Sequence, residues 1–190
     1  LDSRKYYSIG GGKIIRDDSN EGLEINEVYP HHSLTEILQY LDENGLTFWE
    51  YVQEFEHAEI WDYLAEVLAV MKKSVEDGLN EEGVLPGGLR LRRKAMSYYT
   101  KARSYKPSLK GRCLVQSYAL AVSEQNAAGG LIVTAPTCGS CGVVPAVLYH
   151  LSKEHEFTDK QIIRSLATAG LFGSIIKHNA SISGAEVGCQ

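Results

Sequence analysis

The sequence predicts a mainly α-helical protein with a short β-hairpin-like segment at its N-terminal end. Three observations carry this expectation. From Ser33 to Leu79 apolar residues recur at three- and four-residue spacing, the period of one buried helix face. Two capping boxes, Ser33-x-x-Glu36 and Thr47-x-x-Glu50, mark helix starts, because side chain and backbone satisfy each other's N–H groups there. Two short runs rich in Tyr and Ile flank Gly10-Gly11-Gly12, and glycine supplies the positive φ of a tight turn.

Taken in order, Lys5–Arg16 reads as two strands joined through the triple glycine. That glycine run lacks the spacing and trailing Lys-Ser/Thr of a phosphate loop, so a hairpin is the better reading. Leu34, Ile37, Leu38 and Leu41 make one apolar stripe, ended by Asn44-Gly45. A longer helix follows, with Ile60, Leu64, Val67, Leu68, Met71 and Val75 on one face and acids on the other. Trp49, Trp61 and the tyrosines read as packing anchors. Residues 82–88, Pro- and Gly-rich, form a candidate boundary or hinge. Arg112–Val122 reads as a buried helix with Cys113 as a core thiol, and Asn126–Gly130 as a small-residue break. A β-branched run, Leu131–Thr134, then leads into Pro136-Thr-Cys138-Gly-Ser-Cys141-Gly, and a helix is expected from about Pro145 to Lys153. A last helix is expected from about Thr158 to His178; its Ala167, Ala169, Gly170, Gly173 and Ser174 would let another backbone approach closely. The Asn/Ser/Gly-rich residues 179–190 read as a loop.

With 190 residues, 44% hydrophobic and 23% charged, the composition is that of an ordinary soluble globular protein. No uncharged run is long and apolar enough to span a bilayer, and no basic start, apolar stretch and cleavage site combine at the beginning. No membrane partner and no secretory signal are therefore expected. Four cysteines in a chain of this length fit a reduced, cytoplasmic protein better than a disulfide framework. The formal net charge of -5 hides an asymmetry: residues 1–82 hold 19 acids and 6 bases, residues 83–190 hold 5 and 13. Nucleic acid is not the expected partner, since no reading motif accompanies the basic run Arg90–Arg112.

The chemistry concentrates in Cys138-Gly-Ser-Cys141. A helix start next to a sulfur favours the thiolate. Three uses of such sulfur stay open on the residues alone. Strand, Cys-x-x-Cys, helix suits a thiol-disulfide oxidoreductase. A structural zinc module would need four ligands, with Cys189, His150 or His178 completing the pair. An iron–sulfur cluster would gather cysteines distant in sequence.

A resemblance separates these. Lys5-Tyr-Tyr-Ser-Ile-Gly-Gly-Gly12, Gly83-Val-Leu-Pro-Gly-Gly-Leu-Arg90, Ala119–Gly130, Thr134-Ala-Pro-Thr137 and Asn179-Ala-Ser-Ile-Ser-Gly-Ala-Glu-Val-Gly-Cys-Gln190 strongly resemble the bacterial iron–sulfur-dependent L-serine dehydratases. The resemblance runs nearly the whole chain in order. It implies that residues 1–30 are the end of a β domain and residues 31–190 a helical catalytic α domain, incomplete at its C-terminal side. It also implies a 4Fe-4S cluster held by Cys141 and Cys189, with a third cysteine beyond Gln190. Cys138 stands where the family has asparagine, so it is either a replaced polar contact or a further ligand. The expected reaction is dehydration and deamination of L-serine to pyruvate and ammonia. Lys177 and His178 are candidate proton-transfer groups, and Thr137, Asn179, Ser181 and Ser183 candidate substrate contacts. A homodimer is expected for the full-length enzyme. These residues lack both the third cysteine and the family's upstream Ser-His-Thr loop, so alone they are expected to be inactive.

Overall fold

The computed structural model describes residues 3–10, 13–16, 28–134 and 138–180. Strands β1 (Tyr6–Gly10) and β2 (Lys13–Arg16) pair antiparallel, with Tyr6 opposite Arg16 and Tyr7 opposite Ile15. The register slips between Ser8 and Gly10. Seven helices follow among the described residues: α1 (Leu34–Asn44), α2 (Phe48–Phe55), α3 (Ile60–Asn80), α4 (Ala95–Arg103), α5 (Pro107–Ala128), α6 (Val143–Glu154) and α7 (Asp159–Asn179). The mainly helical class and the hairpin are as the sequence predicts.

Local chemistry explains the boundaries. Both capping boxes form, at Ser33/Glu36 and at Thr47/Glu50. Gly45, in the left-handed region at φ 66°, ends α1, and its N–H bonds the carbonyl of Leu41. The single long helix expected after Thr47 is two, because Glu56 at ψ 154° leaves helical geometry before α3 begins. Pro107 lies in the first turn of α5, where its missing N–H costs nothing, and α5 ends at Gly129 in the left-handed region. α6 begins two residues earlier than Pro145, which sits in its first turn. Leu131–Thr134 is not a strand. A β-branched run gains extended structure only when its backbone groups find a ladder partner.

The chain divides into two compact units, residues 1–60, 134–138 and 167–190 in one and residues 61–133 and 139–166 in the other. In the first, Ile37 and Leu41 of α1, Tyr51 and Val52 of α2, and Ala167 and Leu171 of α7 are buried. Leu34 and Leu38 of the expected stripe are exposed, so only half of it faces inward. Aromatic rings consolidate this unit: Tyr51 lies 4.7 Å from Phe55 and 5.6 Å from Tyr40, centre to centre, and Phe48 lies 5.2 Å from Phe172. Burying a ring as completely as Tyr51 contributes about 1.5–3 kcal/mol.

In the second unit one core gathers Val75 and Leu79 of α3, Ala95 and Ala102 of α4, Leu114, Tyr118, Ala121 and Val122 of α5, and Cys141, Ala146 and Tyr149 around α6. Cys113 packs against this core, as its reading as a core thiol requires. Gly78 of α3 lies so close to the backbone of Ala121 that a Cβ would collide with it, and Gly142 stands in the same relation to Ala119. By contrast, no described heavy atom lies within 4 Å of a Cβ built at Gly170 or Gly173, where the sequence had suggested close approach.

Residues 81–94, next to the charge reversal, fold back on themselves. Leu85 N–H bonds the carbonyl of Leu91, Arg93 N–H bonds that of Gly83, and Arg93 pairs with Glu81 at 2.6 Å while its side chain is 8% exposed. Helix α4, unrecognised in the basic sequence run, starts on a carboxylate from another helix. Glu124 of α5, buried, accepts hydrogen bonds from the N–H groups of Lys94 (2.6 Å) and Ala95 (3.3 Å). Arg90, Arg92, Lys101, Arg103, Lys106 and Arg112 are exposed. No helix among the described residues is long and apolar enough to cross a membrane.

Candidate functional site

An open cleft of about 410 Å³ lies within the first unit, walled by Val28, Leu171 and Ile175 and edged by polar groups of Tyr29, His31, His32, Glu56, Ser174, Lys177 and His178. Two of the candidates named from sequence, Lys177 and His178, therefore share one cavity. Both lie in the last turn of α7. The His178 ring is stacked on that of His32, centres 4.4 Å apart and planes 11° from parallel. Asn179, the residue after His178, donates from Nδ2 to the carbonyls of His32 and Ile175, both at 2.9 Å. No described group is hydrogen-bonded to its Oδ1.

Segment 28–32 and Glu56, the residue that ends α2, supply the rest of the lining. Tyr29 donates to Glu56 Oε1 at 2.8 Å. Burial above all, then the bond and charge of Glu56, push the Tyr29 phenol far above its ordinary range. His31 Nδ1 and the Tyr51 hydroxyl are 2.8 Å apart, and burial raises the Tyr51 phenol to about 12. The backbone N–H groups of His32 and Ser33 both donate to Glu36 Oε2 at 3.0 Å, and these bonds hold the Glu36 carboxyl below the usual range. Segment 31–33 is thus tied down at both its N–H and its C=O groups. His32, Tyr29 and Glu56 were not singled out in the sequence. Each sits more than 100 residues from Lys177, and no short motif could have joined them.

Cys141 is 6% exposed and immediately precedes Gly142, the N-cap of α6. The start of a twelve-residue helix favours thiolate on a neighbouring sulfur. Cys141 is also a member of the second unit's buried apolar core. Cys138 is exposed. Thr137, Ser181, Ser183 and Cys189 lie outside the described residues. Among the described residues no group of three His, Cys, Asp or Glu side chains converges as a metal site, and no strand leads into the Cys-x-x-Cys turn. The strand–turn–helix frame of a thiol-disulfide oxidoreductase is not what these residues form.

Comparison with known proteins gives one consistent result. A family model described as the serine dehydratase alpha chain matches residues 20–190. The chain is 40% identical over 200 residues to an L-serine dehydratase of Streptomyces coelicolor, covering 99% of this chain and 44% of that protein. It is 42% identical over 200 residues to an L-serine dehydratase of Haemophilus influenzae, covering 97% of this chain and 44% of that protein. With L-serine dehydratase 1 of Escherichia coli it shares 41% identity over 201 residues, 99% of this chain and 44% of that protein. The chain thus spans less than half the length of the curated relatives it matches. A family match across residues 20–190, with about two residues in five identical to these enzymes, places the chain in the serine dehydratase alpha-chain family.

Proposed function

We propose that this chain supplies the helical, cluster-binding part of an L-serine dehydratase, an enzyme that converts L-serine to pyruvate and ammonia. The observation that carries the reading is the match of nearly the entire chain to that family. Within it, residues 1–30 are read as the end of a preceding β domain, residues 31–190 as the α domain, and residues 82–88 as a hinge. The full-length protein is read as a cytoplasmic homodimer engaged in amino-acid degradation, with L-serine as its partner rather than nucleic acid or a membrane.

Cys141 and Cys189 would hold a 4Fe-4S cluster, and Cys138 is the further candidate donor. When bound, such a cluster supplies an iron with an open position, a Lewis acid for the departing hydroxyl. The chain's own groups have three tasks. The hydroxyls of Thr137, Ser181 and Ser183 would bind the substrate carboxylate. Asn179 Oδ1 would accept a hydrogen bond from the substrate ammonium, since Asn179 Nδ2 is engaged with two backbone carbonyls. Lys177 Nζ or a His178 ring nitrogen would take the Cα proton, and a positioned base of this kind contributes roughly 10²–10⁴-fold in rate. Loss of that proton and of the hydroxyl, together one water, leaves an enamine, which tautomerises to an imine; addition of water to the imine then releases pyruvate and ammonia.

The test is anaerobic purification of the full-length enzyme with iron and sulfide analysis, visible absorption and a pyruvate assay on L-serine. Stoichiometric iron and sulfide with L-serine-dependent pyruvate release are expected. A colourless, iron-free protein that reduces disulfides would overturn the reading.

A further inference from the structure

We infer that His32 is a positioning residue for the Asn179 end of the site, clasping the last turn of α7 from a segment 146 residues away in sequence. This deepens the proposed dehydratase function and rests on the reading of residues 179–189 as site residues. Two independent contacts make the clasp. The His32 ring lies flat against His178, at 4.4 Å and 11°. The His32 carbonyl accepts Asn179 Nδ2 at 2.9 Å. The same Nδ2 also reaches the Ile175 carbonyl one helical turn earlier, so one amide bridges α7 and segment 28–33.

The clasp is itself anchored. His32 N–H is held by Glu36 Oε2, which also takes the Ser33 N–H as part of the α1 capping box. α1 is fixed in turn by buried Ile37 and Leu41. Rigidity therefore passes from a helix with a buried face, through its cap, to the residue at which α7 ends. The last turn of a helix otherwise frays, because its final carbonyls have no partner within the helix. Here the Ile176 carbonyl is taken by the Ala180 N–H at 2.9 Å, and Asn179 Nδ2 adds a bond to the Ile175 carbonyl.

In sequence, Ser181, Ser183 and Cys189 follow Asn179 by two, four and ten residues. A clasp at Asn179 sets where the chain leaves α7. Misplacing a reacting group by about 1 Å can cost roughly 100-fold in rate, so fixing that exit is worth a dedicated contact. His32, His178 and Asn179 are all exposed, so the clasp adds little to the buried core of the unit.

The experiment compares full-length enzyme, prepared anaerobically, with its His32→Ala, His32→Phe and Asn179→Ala variants. Four quantities are read: amide exchange at residues 175–180, retained iron with its visible spectrum, kcat and KM for L-serine, and the thermal midpoint. His32→Ala and Asn179→Ala should each speed exchange at Ala180 by roughly tenfold and lower retained iron or kcat/KM about tenfold, with the midpoint nearly unchanged. His32→Phe, which keeps a flat ring but no imidazole, should restore most of the loss. The proposal is overturned if His32→Ala and Asn179→Ala match wild type in exchange and in iron. It is overturned as well if His32→Phe is as impaired as His32→Ala, since the stack would then not matter. If wild type itself neither holds iron nor turns over L-serine, the dehydratase reading falls. The exchange data still decide the clasp in that case.

Discussion

Glu124 is a carboxylate 4% exposed to solvent, and the two N–H groups it accepts open a helix that no capping signal in its own sequence announces. Replacing it by alanine strands those donors in a buried position and removes an anion from a helix start. Glu124→Ala should destabilise the protein by about 2–3 kcal/mol in urea unfolding, and Glu124→Gln, which keeps an acceptor oxygen, by clearly less. His150 presents the opposite case. Its Nδ1 is buried without a hydrogen-bond partner among the described residues, and its ring lies over Gly111 of α5. Burial is the main influence lowering its pKa below the usual 6.5; His155 adds to that and Glu154 opposes it. The folded state therefore binds fewer protons than the unfolded state. The stability due to a neutral His150 is complete above about pH 6.5 and declines as pH falls below it. Between pH 7.5 and 5.5 the wild type should lose more unfolding free energy than His150→Leu, as read from urea midpoints. Equal slopes would remove His150 as a source of that pH dependence.

At the scale of elements, glycine sorts into two kinds that the sequence presents alike. Gly78 is required, since a Cβ there would meet the Ala121 backbone and force α3 away from α5. Gly78→Ala should cost about 1–3 kcal/mol despite alanine's better helix propensity. Gly170 and Gly173 lie inside α7 with no described atom near their Cβ positions. In the 190-residue chain, Gly170→Ala should stabilise by about 0.5–1 kcal/mol, because only the propensity difference remains. Thermal or urea unfolding of both variants tests the contrast. The capping boxes, the Gly45 and Gly129 stops and the α5, α6 and α7 helices were legible because each is written in neighbouring residues. α4 was not: its cap comes from Glu124, 30 residues from Lys94, and its own run Ala95–Arg103 is too polar to show a strong apolar face. The β-branched run Leu131–Thr134 is not a strand for the complementary reason, since β-propensity states a preference that only a pairing partner can realise.

At the scale of the whole molecule, the prediction concerns which sulfur matters. Cys113 packs beside the second unit's core, and Cys141 belongs to that core while adjoining the start of α6. In the full-length enzyme Cys141→Ser and Cys189→Ser should each abolish iron retention, while Cys113→Ser leaves it within about twofold of wild type. Full iron content in either of the first two would remove that cysteine from the ligand set. Residues 1–190 alone should release no pyruvate from L-serine. Turnover by this chain would show that the remainder of the enzyme is dispensable.

By itself the sequence determined the helical class, the hairpin, most helix boundaries and the family, because periodicity, caps and family motifs are carried by residues close along the chain. It also named Lys177, His178 and Asn179. Only the tertiary structure decided that Lys177 and His178 share a cleft with Tyr29, His32 and Glu56, that Asn179 is bound to the carbonyl of His32, and that Glu124 caps α4. The physical reason is common to all three. A hydrogen bond or a ring stack depends on distance in space, and residues 30 to 147 positions apart leave no local trace of meeting.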